Sequence, residues 1–299
     1  VTASRTARAP GAPFTRGPAR VNGPVVFASF PFFLLVALFF AVPVVGMALV
    51  AFQVVEEGES SLGLGNFQDS LTGTNFTAIA NSVKVSLVSA TVAAILGGAL
   101  AFLISQLNSR ALDAAVPVIS SVLADSGGIM LAFSFIVMLG NTGVITGLLG
   151  LGELGFTLYS WQGLVIMYQY FLVPTMVLVI LPAFKGIKDS WIQASQALGG
   201  GRVRFWLRVG IPVALPSIVG AWVLLIGAAF ATYASPAVLL STGGFPLVPL
   251  TISNQLSGGA ASGREGTAMA LGLLMVLVAV VTLFASTKLQ QRGTRWVAR

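Results

Sequence analysis

Trp161 to Phe184 reads WQGLVIMYQYFLVPTMVLVILPAF, an apolar run without a charged side chain. A helix that crosses a bilayer needs about 20 such residues. Its apolar residues are gathered into one run instead of alternating with polar ones, so the stretch is a membrane span. Five more runs of the same kind lie outward from it, at about Val25 to Phe52, Ile79 to Leu107, Ala114 to Leu139, Val213 to Leu240 and Thr267 to Thr287. The first is too long for a signal-peptide core and reads as a retained span. The fold class is therefore an all-α membrane protein with six transmembrane helices.

Composition agrees. Of 299 residues, 56% are hydrophobic and 8% charged, against roughly a quarter charged in a soluble domain. Sixteen basic and nine acidic side chains cannot clothe a soluble fold of this size. With no His and no Cys, zinc sites built on those ligands, thiol nucleophiles, disulfides and His-based triads are excluded. Apart from Glu56, Glu57 and Glu59 in one Gly/Ser-rich loop, the acids are scattered and form no close pair in a polar segment. The sequence thus offers neither a catalytic residue nor a metal site, and the chain is expected not to be an enzyme. The net charge of +7 does not imply nucleic acid, because the basic residues flank membrane spans and are not interleaved with aromatics.

The basic residues set the expected threading. Residues 1–24 form a disordered basic tail with Arg5, Arg8, Arg16 and Arg20, and residues 288–299 a second tail with Lys288, Arg292, Arg295 and Arg299. Between them, 25–287 is the membrane domain. Every Lys and Arg except Lys84 and Arg264 falls in a tail, at Arg110, or in the segment from Lys185 to Arg208. Positive residues favour the cytoplasmic side, which puts both termini inside a bacterial cytoplasmic membrane. Glu56, Glu57, Glu59, Asp69, Glu153 and Glu265 then lie outside.

The loop 185–212, between the fourth and fifth spans, is patterned. WIQASQAL, Trp191 to Leu198, suits a short amphipathic helix with Trp191, Ala194, Ala197 and Leu198 on one face. Gly199, Gly200 and Gly201 end it, as glycine does where φ must be positive. A second short segment, Val203 to Val209, carries Phe205 and Trp206 as an aromatic rim among arginines, and Pro212 and Pro216 break or start the next helix. The loop is then a helix-turn-helix on the cytoplasmic surface. Taken alone, such a helix could also be a plain connector or lie on lipid headgroups.

The stretch resembles the cytoplasmic "EAA" loop of permease subunits of binding-protein-dependent ABC importers, a Glu-Ala-Ala, three residues, Gly, nine residues, Ile-x-Leu-Pro pattern. Here Gln193-Ala194-Ser195 is followed after three residues by Gly199 and after nine more by Val209-Gly210-Ile211-Pro212. Ala194, Gly199 and Pro212 match by identity, while Gln193 and Ser195 depart. Gly128–Gly147, the approach LVILPAFKGIKDSW and Phe230–Leu239 resemble permeases of spermidine/putrescine-type uptake systems.

The resemblance implies a coupling helix that docks on a separate ABC ATPase dimer, with Gln193, Ala194, Ser195, Gly199, Arg204, Val209, Ile211 and Pro212 as coupling residues. It implies a second, related permease chain, an extracytoplasmic solute-binding protein and a small-molecule substrate, polyamine-like in the closest-looking systems. No phosphate loop of the form Gly-x-x-x-x-Gly-Lys-[Ser/Thr] occurs in the chain, so ATP and Mg belong to the ATPase and this chain binds no cofactor of its own. An ion-coupled secondary transporter is the reading of a different class, and it would rest on Asp125 as a lone intramembrane acid.

Residues of the translocation path are expected among Asp125, Gln169, Tyr170, Tyr233 and Ser235, with Tyr168 beside them; the tyrosines also suit interface anchoring. Asp125 has three readings: a cap for a half-helix starting at Ser126-Gly127-Gly128, a contact for a cationic substrate, or an ion pair with Lys84. Gly97, Gly98 and Ala101 have small-residue spacing suited to close helix packing. Pro174, Pro182 and Pro236 read as tolerated membrane prolines.

Overall fold

The computed structural model describes residues 23–56, 59–107, 109–240, 244–258 and 264–297. The N-terminal arginines, Glu57 and Arg299 lie outside these residues. The segment up to Gly46 forms one unit and the chain from Met47 another. The first unit holds most of α1 (Gly23–Phe52), with Phe32, Phe33, Phe39 and Phe40 all exposed. A helix that is apolar on every side suits a hydrocarbon surround.

The second unit is a helical bundle. α1 ends in a ribbon of β1 (Gln53–Glu56) and β2 (Glu59–Leu62), paired antiparallel with Val54 opposite Ser61. Then come α2 (Gly65–Ser70), α3 (Gly73–Gln106), α4 (Arg110–Asp125), α5 (Ile129–Leu139), α6 (Val144–Leu149) and α7 (Trp161–Lys185). The loop helices α8 (Asp189–Ala197) and α9 (Arg202–Phe205) lead through a π-helical turn, Trp206–Gly210, into α10 (Ile211–Ala231). Two short helices, α11 (Ala234–Leu239) and α12 (Val248–Ser257), precede α13 (Glu265–Val297). Six stretches among the described residues are long and apolar enough to cross a membrane, as the sequence requires.

α7 is the central helix: Leu164, Met167, Tyr168, Leu172, Met176 and Ile180 are fully buried. α3 runs parallel to it in close contact at Gly97, where a Cβ would lie 2.7 Å from the Met176 Cβ and 2.8 Å from the Val173 carbonyl. Gly98 meets nothing, so of the two expected packing glycines one makes the approach. α13 runs antiparallel to α10 and closes on Gly220, where a Cβ would sit 2.9 Å from the Ser286 carbonyl. Without a hydrophobic drive between helices in lipid, such close backbone contact supplies the packing energy.

Two spans differ from expectation. The third is not one helix from Ala114 to Leu139: it breaks at Ser126–Gly128, and the apolar stretch long enough to cross is Ile129–Leu149. The fifth ends at Ala231, not Leu240. The expected loop after it instead folds back on the bundle, with Leu247, Val248 and Pro249 buried and the Val248 N–H donating to the Ser82 Oγ at 2.9 Å. The first break falls at Asp125-Ser126-Gly127-Gly128, where a half-helix start was one reading of Asp125, whereas the second falls in a largely apolar run whose hydropathy does not register it.

Candidate functional site

The patterned loop forms the helix-turn-helix, with two changes of detail. α8 ends in a paired glycine cap. The Gly199 N–H donates to the Gln196 carbonyl at 2.9 Å and the Gly200 N–H to the Ser195 carbonyl at 2.8 Å. Gly199 has φ +78° and open space around it, whereas a Cβ on Gly200 would lie 2.8 Å from the Ser195 carbonyl oxygen. The first glycine is needed for conformation, the second for room.

The faces of α8 are assigned differently. Trp191 and Ile192 are half-buried against the core, and Ser195 faces the same side. Gln193, Ala194, Gln196, Ala197 and Leu198 are turned to solvent, Leu198 89% exposed. Trp191 is thus the anchor of the helix and not part of its free face.

The second segment is neither separate nor a rim. α9, the π turn and α10 form one continuous helix from Arg202. Pro212 has no N–H and its ring would crowd the carbonyl four residues back. The wide turn just before it, closed by the Ile211 N–H on the Trp206 carbonyl, absorbs that conflict without breaking the helix. Phe205 and Trp206 are buried, at 2% and 8% exposure. The Trp206 ring stands edge-on to Phe102 of α3, with centroids 4.8 Å apart, and 6.2 Å from Phe184 of α7. Gly210 leaves the space that the indole fills. Arg204, Val209, Ile211 and Pro212 are exposed along the outer side of this helix. Sequence reasoning missed the Phe102–Phe184–Trp206 cluster, because three aromatics in three distant spans carry no local pattern.

The expected path residues do not form one group. Ser235 is fully buried, and its hydroxyl both accepts from the Gly128 N–H at 3.2 Å and donates to the Gly128 carbonyl at 3.0 Å. Gln169 donates to the Ser89 carbonyl at 3.3 Å and to the Val165 carbonyl at 2.8 Å, tying α7 to α3. Tyr170 meets Phe135 edge-on at 6.3 Å.

Asp125 is exposed at the end of α4 and caps nothing: α5 begins at Ile129, after Gly128, with no side-chain cap. Nor does it pair with Lys84, whose ammonium lies 4.0 Å over the Trp161 ring. Both of those readings fail on geometry.

Tyr233 alone lines an open recess of about 1860 Å³ at the end of the bundle away from α8. Its hydroxyl shares a 2.9 Å hydrogen bond with Ser253. Asn66, Gln68, Asn75, Asn254 and Gln255 give the recess an amide-rich wall. Among the described residues no group of His, Cys, Asp and Glu could hold a metal ion.

No protein-family model matches the chain. It is 25% identical over 143 residues to the molybdenum transport system permease protein ModB of Escherichia coli (strain K12), covering 47% of this chain and 58% of that one. It is 24% identical over 196 residues to the spermidine/putrescine transport system permease protein PotC of Haemophilus influenzae, covering 64% and 71%. Its fold matches a chain of a bacterial ABC transporter involved in alginate import, with a TM-score of 0.66, 20% identity and coverage of 91% and 95%. The chain is related to the permease subunits of ABC importers. It spans little more than half, 58%, of the length of the molybdenum permease. The resemblance read from the coupling pattern and the six-helix permease fold agree with these relatives.

Proposed function

We propose that the chain is the membrane-spanning permease subunit of an ATP-driven importer, with α8 docking on a separate ABC ATPase dimer that binds ATP and Mg. The observation that carries this reading is the construction of the loop. α8 offers Ala194, Ala197 and Leu198 to solvent, is ended by a glycine lock, and is held to the bundle by Trp191 and by the buried Phe205–Trp206 pair. A short rigid helix set on two long ones passes the displacement of a docked partner into the membrane domain, and alternating access needs such a two-state element.

The distribution of Lys and Arg assigns the loop with α8 and, separately, the two basic tails to the cytoplasmic side. The recess at the end of the bundle away from α8 faces an extracytoplasmic binding protein that delivers the solute. A second, related permease chain completes the path. The relatives are described as carrying different solutes, among them molybdenum, spermidine or putrescine, and 2-aminoethylphosphonate. The reading is therefore an importer of a small solute, with a polyamine as one of several classes.

The test is reconstitution with the ATPase and binding protein that this reading expects to be encoded beside it. Leu198→Asp should leave the chain inserted and folded while ATPase co-purification and ATP-dependent uptake are lost. Uptake that persists without ATP and collapses with an ionophore would replace this reading by an ion-coupled transporter.

A further inference from the structure

Four helix ends meet beside the coupling loop. The Arg202 guanidinium, at the start of α9, donates to the Gln106 Oε1, at the end of α3, at 2.8 Å. Lys185, the last residue of α7, forms an ion pair with Asp113 in the first turn of α4. The two contacts bracket the loop: Lys185 precedes α8 and Arg202 follows it. Both reach the same neighbour, the connection between α3 and α4. Phe102, one turn before Gln106, packs on Phe184 and Trp206 between them.

The charges explain why these contacts hold. Lys185 stands at a helix C-terminus and Asp113 at a helix N-terminus, each where the helix dipole favours its sign. Arg202 is at the N-terminus of its own helix, where a cation is disfavoured. It turns instead to the C-terminal end of α3, where the dipole attracts it. An arginine that gains nothing from its own helix and bonds another one fits a role in fastening the two.

We propose that Gln106 and Asp113 are positioning residues that make the α3–α4 connection a third arm of the coupling loop. Displacement of α8 then reaches α3 and α4 directly, and not only α7 and α10, to which it is joined covalently. This rests on the permease reading above. The clamps persist through the transport cycle and do not break in it.

The chain has no cysteine, so a pair introduced at Gln106→Cys and Arg202→Cys can be joined selectively with a short bismaleimide. The assay uses the full complex with its ATPase and binding protein in lipid vesicles, and reads labelled putrescine, or molybdate where the wild-type complex carries that instead, taken up per ATP hydrolysed. Without cross-linker the double variant should lose about three-fold in that ratio, and cross-linking should restore it. Asp113→Lys should cause a similar loss, and adding Lys185→Asp should reverse it.

A cross-link that stops uptake or leaves the ratio low overturns the proposal, as does a charge swap without rescue or single variants that couple normally. ATPase co-purification should not change in any variant. A wild-type complex without ATP-dependent uptake would instead refute the permease reading itself.

Discussion

Ser235 holds Gly128 from both sides, taking a hydrogen bond from its N–H and giving one to its carbonyl. The contact joins two helix breaks, the one between α4 and α5 and the one between α10 and α11. Gly128 has φ +100° and ψ −153°, a region open in practice to glycine alone. Ser235→Ala would leave the Gly128 N–H without a partner, whereas its carbonyl keeps the Ala132 N–H at 3.2 Å. The expected loss is about 1–3 kcal/mol, read as a lower unfolding temperature in detergent. Gly128→Ala should cost a similar amount from strain, about 1–3 kcal/mol, because the nearest atom to a new Cβ is 3.9 Å away and crowding is absent. Wild-type stability in both variants would dissolve the latch.

The two glycines that end α8 should respond to different chemistry. Gly199→Asn should be well tolerated, because Asn enters the left-handed region more readily than other side chains. Gly200→Asn should not be, since its Cβ runs into Ser195. Gly199→Val combines a branched side chain with φ +78°, and the expected product is an inserted permease that fails to retain or stimulate the ATPase. Co-purification of the ATPase with each variant decides, and normal uptake by Gly199→Val would remove α8 from coupling.

Much of this was legible because it is local. Span number follows from run length, and the end of α8 from three consecutive glycines. The break at Gly128 was legible as one reading of Asp125, a half-helix starting at Ser126-Gly127-Gly128, but what holds it was not, since that is a distant hydroxyl, Ser235. The break at Thr232 was not legible, because the largely apolar run continues past it and the fold-back that follows rests on distant Ser82. The side on which Trp191, Phe205 and Trp206 lie was misread for a related reason. Spacing grouped Trp191 with Ala194, Ala197 and Leu198, whereas packing turns Trp191 inward with Ile192 and Ser195 and leaves the other three to solvent, a split that periodicity alone does not decide. Pro212 was expected to break or start a helix, and a π turn, which has no sequence signal of its own, lets one helix pass through.

Asp125→Asn should not alter folding. The carboxylate is exposed and makes no hydrogen bond or ion pair among the described residues, so the change in stability should stay within about 0.5 kcal/mol. With the cap and the Lys84 pair removed by geometry, transport becomes the informative measurement. Full uptake would end any role for Asp125 on the path, while lost uptake with intact ATPase binding would leave contact with a cationic solute as its role.

The Trp206 cluster offers a graded test of how the loop is anchored. The indole N–H has no hydrogen-bond partner among the described residues, so the ring contributes by packing and not by polar contact. Trp206→Phe should therefore keep most of the contact with Phe102 and Phe184 and should preserve coupling. Trp206→Ala empties the space between α3, α7 and α10 and should cost about 3–5 kcal/mol. Gly210→Ala places a methyl against the indole and should cost about 1–3 kcal/mol through overpacking. Pairing Gly210→Ala with Trp206→Phe should recover part of that loss, because the smaller ring frees room beside the new methyl. Melting temperatures of the four variants in one detergent, read beside ATPase stimulation by each, test the order. If Trp206→Phe were as damaging as Trp206→Ala, the indole N–H and not the ring would be the group that matters.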